Sequence, residues 1–386
     1  MTRIEDLSRS LVALEQDSTL IAAVEMSAKS WLVGGLLPGV QRRPEKKLSV
    51  DPEALLQLLQ RWRAEAEKQG RTITRIVLAY EIGRDGFWLA RWLRARGIEA
   101  YAIHPASVAV SREHKRAKTD RLDLEMLRRV FLGWLRGERD HCSMAAIPTL
   151  EEEDAKRPGR ERQTLVGEQT RLVNRTKSTL ARLGIRGFKA NLRKAAQRLA
   201  GLRTVEGTPV PPNTLDEMRR DLERLALVRE QIKQIERARV ERLQQAPELD
   251  YNAMVLFLAR VVGLGVDTAD TLVQEVFRRV FRDQRALAGY VGITGSPQQS
   301  GSKRREKGLA RSGNARVRRA LIQLTWRFLL FQKDCDLVQW YQARVAVKGV
   351  RKSTMIVALA RKLLVALWRM VETGEVPAGL KLRPAV

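Results

Sequence analysis

The chain has 386 residues, and its 71 lysines and arginines outnumber its 44 acidic residues, for a formal net charge of +27. This excess of positive charge indicates a polyanionic partner and favours nucleic acid. Acidic membranes are the competing partner, but the sequence has no localised basic amphipathic anchor. With 44% hydrophobic residues, the chain can bury real cores, and its length suits two or three domains.

Several classes of protein are disfavoured by what the sequence lacks. The first residues are polar and acidic, without the layout of a signal peptide, and no apolar run is long enough to span a bilayer. Cys142 and Cys335 are far apart and outside any C-x-x-C spacing. Disulfide scaffolds and zinc modules are therefore not expected. The sequence predicts a cytoplasmic, nucleoid-associated protein without a membrane partner.

The first part of the chain, residues 1–150, alternates apolar strand patterns with amphipathic helix patterns. This alternation predicts an α/β domain in which helices cover a sheet, with the second strand antiparallel to the first. The predicted strands cover 20–25, 31–37, 76–80 and 98–103, and the predicted helices cover 51–70 and 83–96.

The rest of the chain reads as mostly helical. Residues 151–250 contain long, charged patterns with spaced leucines, which predict a helical hairpin or coiled coil after a linker at Arg157–Gly159. Residues 251–386 are predicted to form a third, mainly α-helical domain, with a Gly263–Gly265 turn similar to a helix-hairpin-helix. A polar loop over 292–313 precedes two further predicted helices, 314–332 and 353–373, the second with Ser353 as N-cap and Gly374 just beyond its end.

Four acids stand where they could share one cleft. Glu25 and Glu81 end predicted strands, while Asp120 and Asp123 open a predicted helix three residues apart and therefore on one face. Carboxylates suit one or two Mg²⁺ ions, and the neighbouring bases Lys118 and Arg121 would attract phosphate. Together they suggest phosphodiester chemistry. For each acid alone, the competing interpretation is a solvated strand end or a helix start that favours Asp.

The order of several motifs resembles a known family, the DEDD-type transposases of the insertion-sequence 110/116/902 type, described as bridge-RNA-guided serine recombinases. The resemblance runs from about residue 20 to 375 and is weakest in the central helices. The motifs that carry it are Glu81-x-Gly83, His104-Pro105, Lys118–Asp123, Gly263–Gly265, Leu287–Ile293, Ser296–Gly301, Ser312–Arg319 and Ala358–Leu364.

The resemblance implies an RuvC-like, RNase H-fold first domain and a C-terminal transposase domain that supplies a serine nucleophile. Matched residue by residue, the family's metal-binding acids fall on Glu25, Glu81, Asp120 and Asp123, and its serine falls on Ser300. Ser296 and Ser302 are the competing positions for the nucleophile, and without the resemblance Ser300 would be interpreted as a turn residue of the loop. The family's first acid is usually Asp, so Glu25 is a departure that adds one methylene. The implied partners are donor and target DNA, an element-encoded bridge RNA, and further copies of the chain in composite sites of a dimer or tetramer.

The expected activity is cutting and rejoining of DNA during transposition, with a DNA–serine link that conserves bond energy. Four bases of the polar loop, Lys303, Arg304, Arg305 and Arg311, are expected to contact nucleic acid, and the first three could stabilise charge in the transition state. Two alternatives stay open at this point. One is an RuvC-like, structure-specific nuclease that uses water as nucleophile; the other is a non-catalytic nucleic-acid-binding protein.

Overall fold

A computed structural model describes residues 13–83, 86–108, 119–138, 141–192, 194–300, 303–309 and 312–384. The chain divides into two compact units. The first contains residues 1–151 and 279–282, and the second contains 152–278 and 283–386. The first boundary of the domain prediction, at residue 150, lies beside this division. The further division at residue 250 remains a prediction.

A six-stranded mixed sheet forms the centre of the first unit. In space its strands follow the order β3-β2-β1-β4-β5-β6. β1 pairs antiparallel with β2 and parallel with β4, which in turn pairs parallel with β5. The predicted α/β sheet and the antiparallel second strand are thus confirmed. The strands span Thr19–Met26 (β1), Trp31–Leu36 (β2), Glu45–Leu48 (β3), Arg75–Glu81 (β4), Glu99–Ile103 (β5) and Met144–Ala145 (β6).

Helices cover both faces of this sheet, which explains why the interiors of its central strands β1 and β4 are continuous apolar runs. Alternate residues of β1 belong to different cores. Leu20, Ala22 and Val24 join the core that contains the buried side chains of α1 and α2. Ile21 and Ala23 join the core that contains those of α3. The three helices span Pro52–Lys68 (α1), Trp88–Arg94 (α2) and Asp120–Leu135 (α3).

Helix α2 begins later than the pattern predicts. The predicted start was Gly83, but the first helical residue is Trp88. Gly86 has a φ of 69°, a left-handed conformation that a helix interior does not contain. Its carbonyl also accepts a hydrogen bond of 3.0 Å from the Tyr80 hydroxyl. This local turn delays the helix by more than one turn.

The described part of the second unit is largely helical, as predicted. The predicted linker at Arg157–Gly159 is wrong, because these residues form the first turn of α5, where Pro158 is tolerated. The helices are α4 (Leu150–Asp154, at the boundary between the units), α5 (Arg157–Arg182), α6 (Ala195–Ala200), α7 (Pro212–Gln245), α8 (Asp250–Ala259), α9 (Val266–Leu272), α10 (Gln284–Val291), α11 (Ala315–Phe331), α12 (Asp336–Val345) and α13 (Lys352–Thr373).

The long helices α5 and α7 pack side by side as an antiparallel pair. Arg175 binds Asp221 near one end, and Arg162 binds Glu236 at 2.7 Å nearer the other. As residue numbers rise along α5, those of the paired residues fall along α7. Between these ion pairs, the leucine-spaced faces bury a shared apolar core. A coiled-coil supercoil for this pair stays a prediction.

The predicted polar loop over 292–313 is wrong in part, because two strands occupy most of it. β7 (Gly295–Ser300) and β8 (Lys303–Leu309) pair antiparallel, and Ser300 lies opposite Lys303. The hairpin escaped prediction because its residues are polar or charged, so no apolar alternation marks the strands. Helix α12 was also missed. The predicted N-cap Ser353 lies inside α13, whose N-cap is Arg351, whereas Gly374 ends that helix as predicted.

A pair of glycines closes the base of the hairpin. Gly292 ends α10 with φ 74°, and a Cβ built on it would lie 1.7 Å from the carbonyl oxygen of Ser312. Gly313 has φ 84°, and a Cβ there would lie 2.5 Å from the carbonyl oxygen of Tyr290. Only glycine therefore fits where the two ends of the hairpin meet α10.

Replacing Gly292 with alanine should destabilise the second unit. The left-handed conformation alone costs about 1–2 kcal/mol for a residue with a side chain, and the clash with Ser312 adds to it. The matched control is Gly289→Ala in α10, where an added Cβ meets nothing within 4 Å. There, alanine should stabilise the helix by up to about 1 kcal/mol. Chemical denaturation checks both variants, and equal stabilities would contradict the analysis.

Candidate active site and nucleic-acid interface

Glu25 and Glu81 lie at the same edge of the sheet. Val24 of β1 is paired with Tyr80 of β4 in parallel register, and each glutamate is the next residue of its strand. Since side chains alternate along a strand, Glu25 shares a face with Ala23, and Glu81 shares that face with Val77 and Ala79. These apolar residues belong to the α3 core. Both glutamates therefore stand on the face of the sheet that α3 covers.

Helix α3 runs against the direction of β1. Near its start, Leu124 lies over β2, where a Cβ built on Gly34 would be 3.0 Å from Cδ2 of Leu124. Just beyond its end, Arg136 donates to the side chain of Gln16, before β1, at 3.1 Å once the amide is oriented to accept. The first turn of α3 is therefore at the end of the sheet where β1 and β4 finish.

The first turn of α3 carries the two predicted aspartates. Thr119 caps the helix, and its hydroxyl accepts a hydrogen bond of 3.3 Å from the backbone N–H of Leu122. Asp120 is exposed and Asp123 is half-buried. Asp120 is one helical turn from Leu124, a buried residue that faces the sheet. The cap thus fixes the backbone from which both carboxylates project.

The four acids are of the residue type that binds Mg²⁺, but their side chains are not grouped closely enough to share one ion. Over the part of the chain that the structure describes, no three His, Cys, Asp or Glu side chains stand close enough to hold one metal ion. Carboxylate oxygens are the ligands that Mg²⁺ prefers, and the backbone brings Glu25, Glu81, Asp120 and Asp123 to one edge of the sheet. The donor set therefore fits a hard divalent cation, and the side chains would have to converge on it.

The predicted serine ends the first strand of the hairpin. Ser300 is the last residue of β7, and Lys303, Arg304 and Arg305 begin β8, opposite Ser300, Gln299 and Gln298. The register thus puts three basic positions across from the end of the serine strand. The predicted nucleic-acid contacts Lys118 and Arg311 lie outside the described residues. Arg121 is 80% exposed and lies 3.3 Å from Glu45 of β3.

Sequence reasoning missed a buried polar cluster in the second unit. Glu275 lies within a π-helical turn, Val273–Phe277, and its side chain is only 5% exposed. Arg160 donates two hydrogen bonds to it, of 3.0 and 3.1 Å, and the Asn314 amide donates a third of 3.2 Å. An acid flanked by the apolar residues Leu272, Val273, Val276 and Phe277 was the available signal.

The pKa of Glu275 is lowered by its neighbours. Burial, the largest single influence, acts to raise the pKa of the carboxyl group. The hydrogen bond from Arg160 and the positive charges of Arg160, Arg316 and Lys156 act in the opposite direction and together exceed it. Glu275 is therefore an ionised group in a basic environment. Asn314, which binds it, also caps α11 by accepting from the N–H groups of Arg316 and Val317.

The predicted helix-hairpin-helix turn connects α8 to α9, but its backbone is partly occupied. Gly263 has φ 92°, as a tight turn requires. The Val262 N–H donates 3.1 Å to the Lys381 carbonyl, so a segment near the end of the chain pairs with the turn. Buried Gln332 donates to the carbonyls of both Val262 and Lys381. The Val262 N–H is thereby removed from any contact with phosphate.

No helix among the described residues combines the length and the apolar character required to cross a membrane.

Replacing the capping residue of α3 should loosen the start of the helix that bears Asp120 and Asp123. Thr119→Ala removes the hydroxyl acceptor for the Leu122 N–H, and we expect a loss of about 1 kcal/mol in the free energy of unfolding. Thr119→Ser keeps the hydroxyl acceptor, so it should retain most of the free energy of unfolding that the alanine variant loses. Urea denaturation measures both, and an alanine variant as stable as the serine variant would show that the cap contributes nothing.

Comparisons with known proteins show which family the chain belongs to. A family model described as "Transposase IS116/IS110/IS902 family" matches residues 256–338. A curated protein from Sinorhizobium fredii (strain NBRC 101917 / NGR234), named "Putative transposase y4rJ", is 37% identical over 377 residues. The alignment covers 94% of each chain. By this near full-length similarity and the family match, the chain belongs to the IS116/IS110/IS902 family of transposases.

Proposed function

We propose that this transposase cuts and rejoins DNA at an insertion sequence, using the acids of the first unit and Ser300 as nucleophile. The observation that carries the proposal is the common edge reached by β1, β4 and the start of α3. Glu25, Glu81, Asp120 and Asp123 come from separate parts of the sequence to that edge. Family membership gives the reaction class, and these residues give the chemistry.

The first unit is proposed to be RuvC-like. Support comes from its mixed sheet, in which antiparallel β1–β3 continue into parallel β4 and β5, and from the position of acids beyond apolar strands. A bound Mg²⁺ would neutralise developing charge on the phosphodiester. The protein's own part is to present the carboxylates from rigid elements, two from strand ends and two from a capped helix. Glu25 reaches one methylene further than the aspartate usual in the family.

Ser300 is proposed to attack the phosphorus atom of the scissile phosphodiester. The Oγ–P bond forms while the bond from phosphorus to the leaving deoxyribose oxygen breaks. The serine proton passes to a base, and the leaving oxygen takes up a proton. Because one phosphodiester replaces another, the reverse attack by a deoxyribose hydroxyl can rejoin DNA without an external energy source. The neighbouring bases Lys303, Arg304 and Arg305 are proposed to offset the charge of the transition state.

Two partners belong to the same proposal. An element-encoded bridge RNA would choose the DNA sequences, and the chain would act as a dimer or tetramer. The charge of +27 supports a polyanionic ligand, although charge does not distinguish RNA from DNA.

Replacing either aspartate of α3 should abolish metal-dependent DNA cleavage. Asp120→Asn and Asp123→Asn each remove one hard anionic ligand while keeping size and helical position. Purified proteins are compared on element-end DNA with the transcribed RNA, in a series of Mg²⁺ concentrations. We expect at least a hundredfold loss of cleavage, on the order found when catalytic groups are removed.

The matched control is Glu125→Gln in the same helix. Glu125 is 59% exposed, and its ion pairs with other described residues are long, at 3.7 Å to Arg128 and 3.8 Å to Arg43. This variant should cleave like the wild type. Full activity of folded Asp120→Asn and Asp123→Asn proteins would remove the acids from the mechanism.

Replacing Ser300 with alanine should eliminate both rejoined DNA and the covalent protein–DNA link. Junction PCR on cells carrying the element detects excision, and denaturing gels with labelled DNA detect the link. Ser296→Ala, in the same strand, is the control and should retain both products. Junctions that survive Ser300→Ala but vanish with Asp120→Asn would favour the water-using nuclease. DNA binding with no chemistry in the wild type would favour a non-catalytic protein.

A further inference from the structure

A cleft lined by four arginines lies between α5 and α11 of the second unit. Its volume is about 530 Å³, within the range of about 300–1,000 Å³ typical of ligand sites. One acid lines it together with the arginines, and that acid is the paired Glu275. The residues that line this arginine cleft are Arg160, Gln163, Thr164, Gly167, Arg171, Glu275, Asn314, Arg316 and Arg319.

One wall of the arginine cleft is a single stripe of α5. Its members Arg160, Thr164, Gly167 and Arg171 are spaced by four, three and four residues, which puts them on one helical face. Gly167 stands in the interior of a 26-residue helix, where glycine costs about 1 kcal/mol relative to alanine. A Cβ at Gly167 would meet only the Arg171 guanidinium, at 3.9 Å. No packing contact requires glycine here, and its lack of a side chain keeps the cleft open.

The opposite wall is the start of α11, where Arg316 is held in place. One of its terminal nitrogens donates to the Gly159 carbonyl, while its buried Nε has no hydrogen-bond partner among the described residues. Burial lowers the pKa of the Arg316 guanidinium. The negative charge of Glu275 acts to raise this pKa, and the positive charge of Arg160 acts to lower it. A buried donor without an acceptor is costly unless a ligand supplies one.

Two further arginines at the rim are available to a ligand. The Arg171 side chain is 73% exposed, and its one ion pair, with Glu168, is 3.9 Å long. Arg319 is exposed and has no ion pair or hydrogen bond with any part of the chain that the structure describes. Four guanidinium groups against one carboxylate leave the arginine cleft with a formal charge of +3.

From this geometry we propose that the arginine cleft binds a phosphate of a nucleic-acid backbone. Guanidinium groups suit phosphate because their N–H donors match its oxygens in pairs. Arg160 and Arg316 provide a fixed inner charge, oriented by Glu275 and Gly159, while Arg171 and Arg319 close around the ligand from the rim. This proposal depends on the proposed function at one point, which is that the ligand is nucleic acid. The backbone of DNA and that of the guide RNA share this chemistry.

The salt dependence of binding tests the proposal. Fluorescence anisotropy measures affinity for a mixed-sequence duplex DNA and, separately, for the transcribed element RNA, between 50 mM and 300 mM NaCl. The Arg171→Gln/Arg319→Gln double variant should bind one probe more weakly. For that probe, the slope of log affinity against log salt should fall by about 1 for each arginine lost. The probe that responds identifies the source of the phosphate.

A control of equal charge is Arg220→Gln/Arg237→Gln on α7. Both arginines are exposed, and neither lines the arginine cleft. For this control variant, the slope of log affinity against log salt should change by less than half the change seen for the cleft double variant.

A second test fills the cleft without altering charge. Gly167→Met introduces a strong helix former, so the melting temperature should not fall, whereas affinity for the responding probe should fall at least threefold.

Unchanged slopes for both probes in a folded double variant would overturn the proposal. So would a change equal to that of the α7 control, or a Gly167→Met protein with wild-type affinity. These results are independent of the serine chemistry. If excision survives Ser300→Ala while the cleft variants lose binding, the nucleophile proposal fails and the phosphate site stands. If excision is lost in Ser300→Ala while the cleft variants bind like the wild type, only the phosphate-site proposal fails.

Discussion

The second unit depends on the pairing of its buried acids with arginine. In a chain with a formal charge of +27, three acids among the described residues of this unit have side chains no more than 6% exposed: Asp221, Asp270 and Glu275. A buried carboxylate is tolerated only when its charge is matched and its oxygens accept hydrogen bonds. Each of these three receives at least one guanidinium, so helices far apart in sequence are held to one another.

The partners of these acids trace the assembly of the unit. Asp221 of α7 binds Arg175 of α5, and Asp270 of α9 binds Arg239 and Arg242 of α7. Glu275 links α5 to the cap of α11 through Arg160 and Asn314. Removing every guanidinium partner of one of these acids would leave a buried charge unpaired, at a cost of about 3–5 kcal/mol. The arginine surplus thus serves the fold as well as the nucleic acid, and the two uses meet in the arginine cleft.

The sequence predicted those elements that are marked by a pattern of neighbouring residues, and it missed those that depend on contacts between distant residues. Apolar strands and some helix ends were predictable because their pattern is local: β1, β2, β4 and the end of α13 at Gly374 all followed from neighbouring residues. The β7–β8 hairpin could not be found, because none of its polar residues marks a buried face. The Glu275 cluster could not be assembled either, since Arg160 is 115 residues away along the chain.

The candidate site likewise combines features that local sequence marks with features that it does not. The acids proposed for the first unit could be singled out from the sequence because each ends an apolar strand or begins a helix, and the parallel register puts the ends of β1 and β4 side by side. Their side-chain grouping was not predictable, because it depends on rotamers and on a ligand that the backbone pattern does not encode. The departure at Glu25 is visible in sequence alone. Its effect on metal distance belongs to those same side-chain conformations.

The pairing of the α8–α9 turn with residues near Lys381 has a consequence for synthesis. Arg260 donates to the carbonyl of Arg383, and 123 positions separate the two residues. At ribosomal rates of roughly 5–20 residues per second, the turn emerges about 6–25 s before its strand partner exists. Gln332 is synthesised 49 positions before Lys381, so over this last part of the interval it lacks one of the two carbonyls that it later bridges. The contacts that close the α8–α9 turn can therefore form only after nearly all of the second unit has been synthesised.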